Sequence, residues 1–183
     1  MIETLAPLVV YLHGPSGCPS DFDAVAGRLP ERFSCIAPPV SWEGASPRER
    51  ATRLGDQLRG EGRPLVLVAS AHAACVALEI ARRDRVRVRG LVLSGCSDDP
   101  RDGFGKADAP VLLLWGTEDT VTPPAVGRRL RDALPEARLL FIQDAGHEPM
   151  VERPSVFAFH LASFLNDLVP ERVPSRRLVD EAA

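Results

Sequence analysis

Short, unbroken apolar runs alternate along this chain with longer helix-like segments. The runs cover residues 7–12 (PLVVYL), 33–37 (FSCIA), 65–69 (LVLVA), 88–94 (VRGLVLS), 111–115 (VLLLW) and 138–142 (RLLFI). A strand that is apolar at consecutive positions, not at every second one, is expected to be covered on both faces. Between the runs, residues 20–29, 47–58, 72–83, 123–134 and 154–168 read as helices. This alternation predicts a doubly wound α/β sheet of about six mostly parallel strands flanked by helices, with right-handed crossovers. No repeat or linker interrupts it. Residues 1–169 read as a single domain, and residues 170–183, charged and carrying Pro170 and Pro174, as a loose C-terminal tail.

Composition narrows the class of function. A chain of 183 residues that is 45% hydrophobic can bury a real core. The net charge of -3, with Lys106 as the only lysine and arginines scattered over polar helix faces, predicts no nucleic-acid partner. No run is long enough to span a membrane, and the apolar stretch ending at His13-Gly14 lacks the basic start of a leader. Cys18, Cys35, Cys75 and Cys96 form no CxxC pair and no zinc-like spacing with histidine, so they read as small hydrophobes and no metal is expected. A cytoplasmic location follows as the simplest expectation. Neither a Walker loop nor a GxGxxG after the first strand is present, so no cofactor is expected.

In sheets of this kind, sites form at the carboxyl ends of the strands. The first strand ends in His13-Gly14-Pro15-Ser16-Gly17. The third runs through Ala69-Ser70-Ala71-His72-Ala73 into a helix, the fifth ends in Gly116-Thr117-Glu118-Asp119, and the sixth is followed by Gly146-His147-Glu148-Pro149. An HG loop, a small-x-Ser-x-small elbow, a GxxD loop and a GH-x-P loop in this order resemble the α/β-hydrolase superfamily over residues 7–168, with nucleophile, acid and histidine in the family's order.

The resemblance implies an α/β-hydrolase-like sheet with Asp119 orienting His147 as acid or base, and a small-molecule substrate or ligand. It also implies two departures. Residue by residue, Ala69, Ala71 and Ala73 fall on the elbow's glycine, serine and glycine, so Ala71 holds the nucleophile position without a nucleophilic atom. Ser70, one position early, is expected to point away. Pro15 stands where the family takes an oxyanion N–H from the residue after HG, and proline has none. His72 N–H, and Ser16 N–H if the loop is offset, are the remaining donors.

Other positions are weaker candidates. His72 lines the pocket or merely starts its helix. His13 is expected to brace its loop and His160 to be structural, while Cys96, after the fourth strand, reads as a small structural residue or as part of the site floor. Asp98 and Asp99 read as capping or solvated, and Phe22 and Trp42 as pocket wall or core. The short segment 95–109 implies no cap domain and an open pocket. Asp119 is alternatively a cap near Thr122-Pro123.

Three functions stay open. One is non-covalent acid/base chemistry of lyase, isomerase or cyclisation type on a small carbonyl compound. Another is a serine hydrolase of esterase, thioesterase or lactonase type whose position-71 serine is replaced by alanine. The third is a non-catalytic binding module. The oligomeric state is not fixed by any of these features.

Overall fold

The computed structural model describes residues 6–96, 107–134 and 136–169. The expected tail 170–183 and most of the segment 95–109, including Asp98 and Asp99, lie outside the described residues.

All six expected strands form, as β1 (Leu8–Leu12), β2 (Cys35–Ile36), β3 (Leu65–Ser70), β4 (Val88–Ser94), β5 (Val111–Gly116) and β6 (Arg138–Ile142). They make one sheet in the order β2-β1-β3-β4-β5-β6, and every neighbouring pair is parallel. Parallel neighbours need crossovers, supplied here by α1 (Asp23–Ala26), α2 (Pro47–Gln57), α3 (Ala73–Arg83) and α4 (Pro124–Ala133), with α5 (Pro149–Glu152) and α6 (Pro154–Leu168) after β6.

Alternate residues of the strands feed two cores. Leu8, Val10, Leu12, Leu65, Leu67, Leu91, Leu93, Leu113 and Trp115 pack with apolar residues of α2, α3 and α4. Val9, Tyr11, Val66, Val68, Val92, Leu112 and Leu114 face the other way, against Val25 and the Phe157, Leu161, Phe164 and Leu165 stripe of α6. This is why the strands are apolar at every position. Helix α2 begins on a capping box, in which Ser46 Oγ accepts the Glu49 N–H and Glu49 Oε2 accepts the Ser46 N–H.

One expected element is corrected. Residues 20–29 do not form a continuous helix; a 3₁₀ turn over Pro19–Phe22 leads into the four-residue α1. Asp21 turns its carboxylate back onto the Cys18 N–H at 2.6 Å, which tightens the first turn, and Gly27 and Pro30 end the helix early. The four cysteines are thiols, with Cys75 and Cys96 buried. Among the described residues no helix is long and apolar enough to cross a membrane, and no cluster of side chains could hold a metal ion.

Candidate active site

The acid and the histidine meet at the carboxyl edge of the sheet. Asp119 follows β5 and His147 follows β6. His147 Nδ1 lies 3.0 Å from Asp119 Oδ2 and 3.2 Å from Oδ1. The Asp119 side chain is 1% exposed and that of His147 23%, so the acid is dry while the imidazole reaches solvent.

A buried carboxylate needs donors, and Asp119 has them. The Val121 and Thr122 N–H groups donate to Oδ1 at 2.9 and 2.8 Å, and the Thr122 hydroxyl donates to Oδ2 at 2.8 Å. Each bond to a charged group contributes about 1.5–3 kcal/mol. With the carboxylate accepting, Nδ1 carries the ring proton and donates, which leaves a lone pair on Nε2. No described residue bonds Nε2. Asp119 thus closes the turn through Val121 and Thr122 and holds the His147 ring, but it does not cap the helix that follows. The first residue of α4 is capped by neither Asp119 nor any other side chain.

The two loops are stitched together at backbone level. Thr117 N–H donates to Ile142 O and Glu118 N–H to Ala145 O, while Asp144 N–H donates to Thr117 Oγ1. A Cβ on Gly116 would stand 2.1 Å from Gly146 O and 2.3 Å from Ala145 O, so only glycine admits the histidine loop this close. Trp115, wholly buried, donates its indole N–H to Thr122 O at 2.8 Å and supports the acid turn from below.

The elbow occupies the neighbouring strand end. Ala71 has φ +48, in the left-handed region that residues with a Cβ rarely enter, and costs roughly 1–2 kcal/mol there. His72 (φ -63, ψ -17) then leads directly into α3. Ala71 N–H donates to Ser94 O at 2.9 Å. Gly95, with φ +57, follows Ser94, and a side chain there would meet His147 Cε1 at 2.9 Å. The end of β4 is thus the corner shared by the elbow and the imidazole.

Ser70 is turned away, as its register requires. Its Oγ pairs with Tyr11 OH at 3.2 Å and accepts the Gly14 N–H at 3.2 Å. Gly14 is consequently occupied and lies against the elbow: a Cβ on it would be 3.0 Å from that of Ala71. Pro15 and Ser16 are exposed at the tip of a turn closed by Gly17 N–H donating to Gly14 O. His13 braces that loop. Its Nε2 accepts the Val40 N–H at 3.1 Å, so Nδ1 carries the proton and donates to Gly14 O at 2.9 Å. Neither the His72 N–H nor the Ser16 N–H is used by another described residue.

The weaker candidates separate. The His72 side chain is exposed and makes no cap bond. Phe22 is buried and stacked on Tyr11, Trp42 packs on the core beneath the Arg50 guanidinium, and His160 sits edge-on to Phe159. Burial keeps the His160 imidazole below its ordinary range. A cleft of about 150 Å³ between α2 and α3 opens at the opposite, amino-terminal edge of the sheet and contains none of the acid, histidine or elbow residues.

Sequence reasoning missed Thr122 as a partner of the acid, Gly95 as the floor beneath the imidazole, and Glu152. The Asp-x-x-Thr spacing signals a side-chain-closed turn and would have found the first. The Gly95 contact comes only from tertiary placement.

Known proteins carry the same arrangement of sheet and helices. An α/β-hydrolase enzyme from a sediment metagenome of the Mar Chica lagoon in Morocco superposes with a TM-score of 0.78 over 88% of this chain and 91% of its own, at 24% identity. A family model described as the alpha/beta hydrolase fold matches residues 79–154. The chain has the α/β-hydrolase fold.

Two curated proteins match shorter stretches. An uncharacterized hydrolase of Bacillus subtilis, YugF, is 38% identical over 60 residues, which is 33% of this chain and 22% of that protein. A pimeloyl-[acyl-carrier protein] methyl ester esterase of Neisseria meningitidis serogroup A is 35% identical over 79 residues, 43% of this chain and 25% of the esterase. The matched stretches thus span about a quarter or less of these hydrolases' own length.

Proposed function

We propose that the site is of the ester-hydrolase type, with its proton-handling half in place and no nucleophilic atom at Ala71. His147, oriented by Asp119 and Thr122, acts as general base on a small carbonyl compound lying over Ala71, without an acyl-enzyme. The observation that carries this reading is the Asp119–His147 pair, with Nδ1 committed to a dry carboxylate and Nε2 bonded by no described residue. In the hydrolytic form, Nε2 takes a proton from water as the water oxygen attacks the carbonyl carbon. The tetrahedral intermediate then expels the alcohol, which recovers that proton from the imidazolium. His72 N–H, directly after Ala71, is the main-chain donor assigned to the oxyanion, with Ser16 N–H as a second, and Pro15 can offer none. The same base serves proton abstraction next to a carbonyl, so lyase, isomerase or cyclisation chemistry rests on the same atoms.

A second reading, a serine hydrolase with alanine in place of its serine, draws support from one specific feature. An alanine has no chemical use for a left-handed turn, yet Ala71 holds φ +48. The hydrolase and esterase names of the matched relatives favour acyl chemistry in either form.

The two readings part on the Ala71→Ser variant. Turnover of short-chain 4-nitrophenyl esters is expected to rise at least about 100-fold over the unaltered chain, and to vanish on adding His147→Ala. A His147-dependent background in the unaltered chain supports the water-activating form. No His147-dependent turnover in any variant refutes both and leaves a ligand-binding module.

A further inference from the structure

We propose that Glu152 is a positioning residue for His147, setting the imidazole's place by holding the main chain on either side of it. Gly146 N–H donates to Glu152 Oε2 at 2.7 Å, and Glu148 N–H donates to Oε1 at 3.1 Å. His147 is the residue between them. Both carboxylate oxygens are therefore spent on the peptide groups flanking the base. Asp119 alone cannot do this. It grips the ring at Nδ1 only, which leaves the ring free to pivot about that bond and the loop free to slide.

The clamp is itself anchored. Glu152 closes α5, and its own N–H donates to Glu148 O at 3.0 Å, so side chain and backbone of one residue tie both polar groups of Glu148. Gly146 brings the loop against the carboxylate: a Cβ there would stand 3.1 and 3.2 Å from Oε1 and Oε2. Bonds from N–H to a carboxylate oxygen are shorter and about twice as strong as those between neutral groups. Glu152 is exposed, so it contributes little by packing and its main work is done through these two bonds. With Gly116 admitting the loop and Gly95 under the ring, the histidine is fixed from the main chain as well as from the side chain.

This inference rests on the reading of His147 as the base, but its first test does not require turnover. Long-range ¹H–¹⁵N NMR on the unaltered chain, Glu152→Gln and Glu152→Ala reads the His147 tautomer. The unaltered chain is expected to show only the Nδ1–H form, with its proton shifted downfield by Asp119. Glu152→Ala should mix the tautomers and weaken that shift. Glu152→Gln keeps the shape and one acceptor but turns an amide NH₂ toward the other N–H, and should fall between. In the Ala71→Ser background, the rate of labelling by a fluorophosphonate should drop about tenfold with Glu152→Ala and less with Glu152→Gln, in the range expected for a sub-ångström displacement of a catalytic group. Unchanged His147 resonances in the two variants overturn the proposal, even if both melt at lower temperature. Failure of Ala71→Ser to label at all would sink the hydrolase reading, while the NMR comparison would still decide the role of Glu152.

Discussion

Two halves of the site meet at the end of β4, and they differ in what they retain. The acid–histidine half is redundantly built. Four donors converge on Asp119, two loops share backbone bonds, Gly116 lets them touch, and Trp115 supports them from the core. On the proposed reading, the elbow half keeps its backbone and lacks its reagents. Ala71 sits in a strained turn with no nucleophilic atom, Pro15 has no N–H to offer, and Gly14 N–H is taken by Ser70. Shape at the elbow is held by β3, α3 and the Ser94 bond. Its chemistry resides in single atoms that one substitution removes. The histidine's chemistry, by contrast, is embedded in a network that also folds the loops.

The sharpest way to break this comparison is Gly116→Ala. The new Cβ would meet a backbone carbonyl at 2.1 Å, and backbone cannot step aside as a side-chain tip can. Urea denaturation should show a loss of about 3 kcal/mol or unfolding outright, together with loss of the downfield His147 proton. A stable variant with that proton unchanged would mean the two loops are not held together as described.

The elbow side is tested by Ala71→Gly against Ala77→Gly. Glycine relieves the left-handed strain at 71, about 1 kcal/mol, and that offsets its extra unfolded-state entropy of about 0.4–1 kcal/mol, so stability should hold or rise slightly. Ala77 is buried mid-helix in α3, where the same change should cost about 1 kcal/mol or more. Equal losses at the two sites would show that the elbow carries no strain.

The smallest effect is alkaline. Burial raises Tyr11 from 10.0 to about 12 and Cys35 from 9.0 to about 11. Both groups stay neutral in the folded chain at a pH where the unfolded chain ionises them. Their contribution is complete below about pH 9 and is lost as pH rises toward 12. Tyr11→Phe and Cys35→Ala should each flatten that decline in a pH series of melting temperatures. An unaltered slope in both would place the alkaline loss elsewhere.

Much of this was legible in the chain itself. The strands showed because helices cover both sheet faces and force consecutive apolar residues. The pairing of Asp119 with His147 followed from each standing directly after a strand, since strand ends converge on one edge. The register at Ala71 was legible for the same reason: in an extended strand neighbours point oppositely, so Ser70 had to face Tyr11 if Ala71 faced the site. The helix over 20–29 was over-read, because Asp21 competes for backbone N–H groups in a way periodicity does not reveal. Thr122, Gly95 and Glu152 escaped because their roles come from loop hydrogen bonds and close approaches that depend on how two loops are stacked.

The central claim is that the proton-handling half is competent and only the nucleophile half is deficient. Intact-mass measurement after exposure to a fluorophosphonate tests it most directly. The unaltered chain should gain no adduct, with Ser70 unmodified. Ala71→Ser should gain one stoichiometric adduct on the new side chain, and adding Asp119→Asn should slow its formation by up to about 10⁴-fold. An adduct on Ser70 of the unaltered chain, or an Ala71→Ser variant that stays unlabelled while folded, would contradict the account.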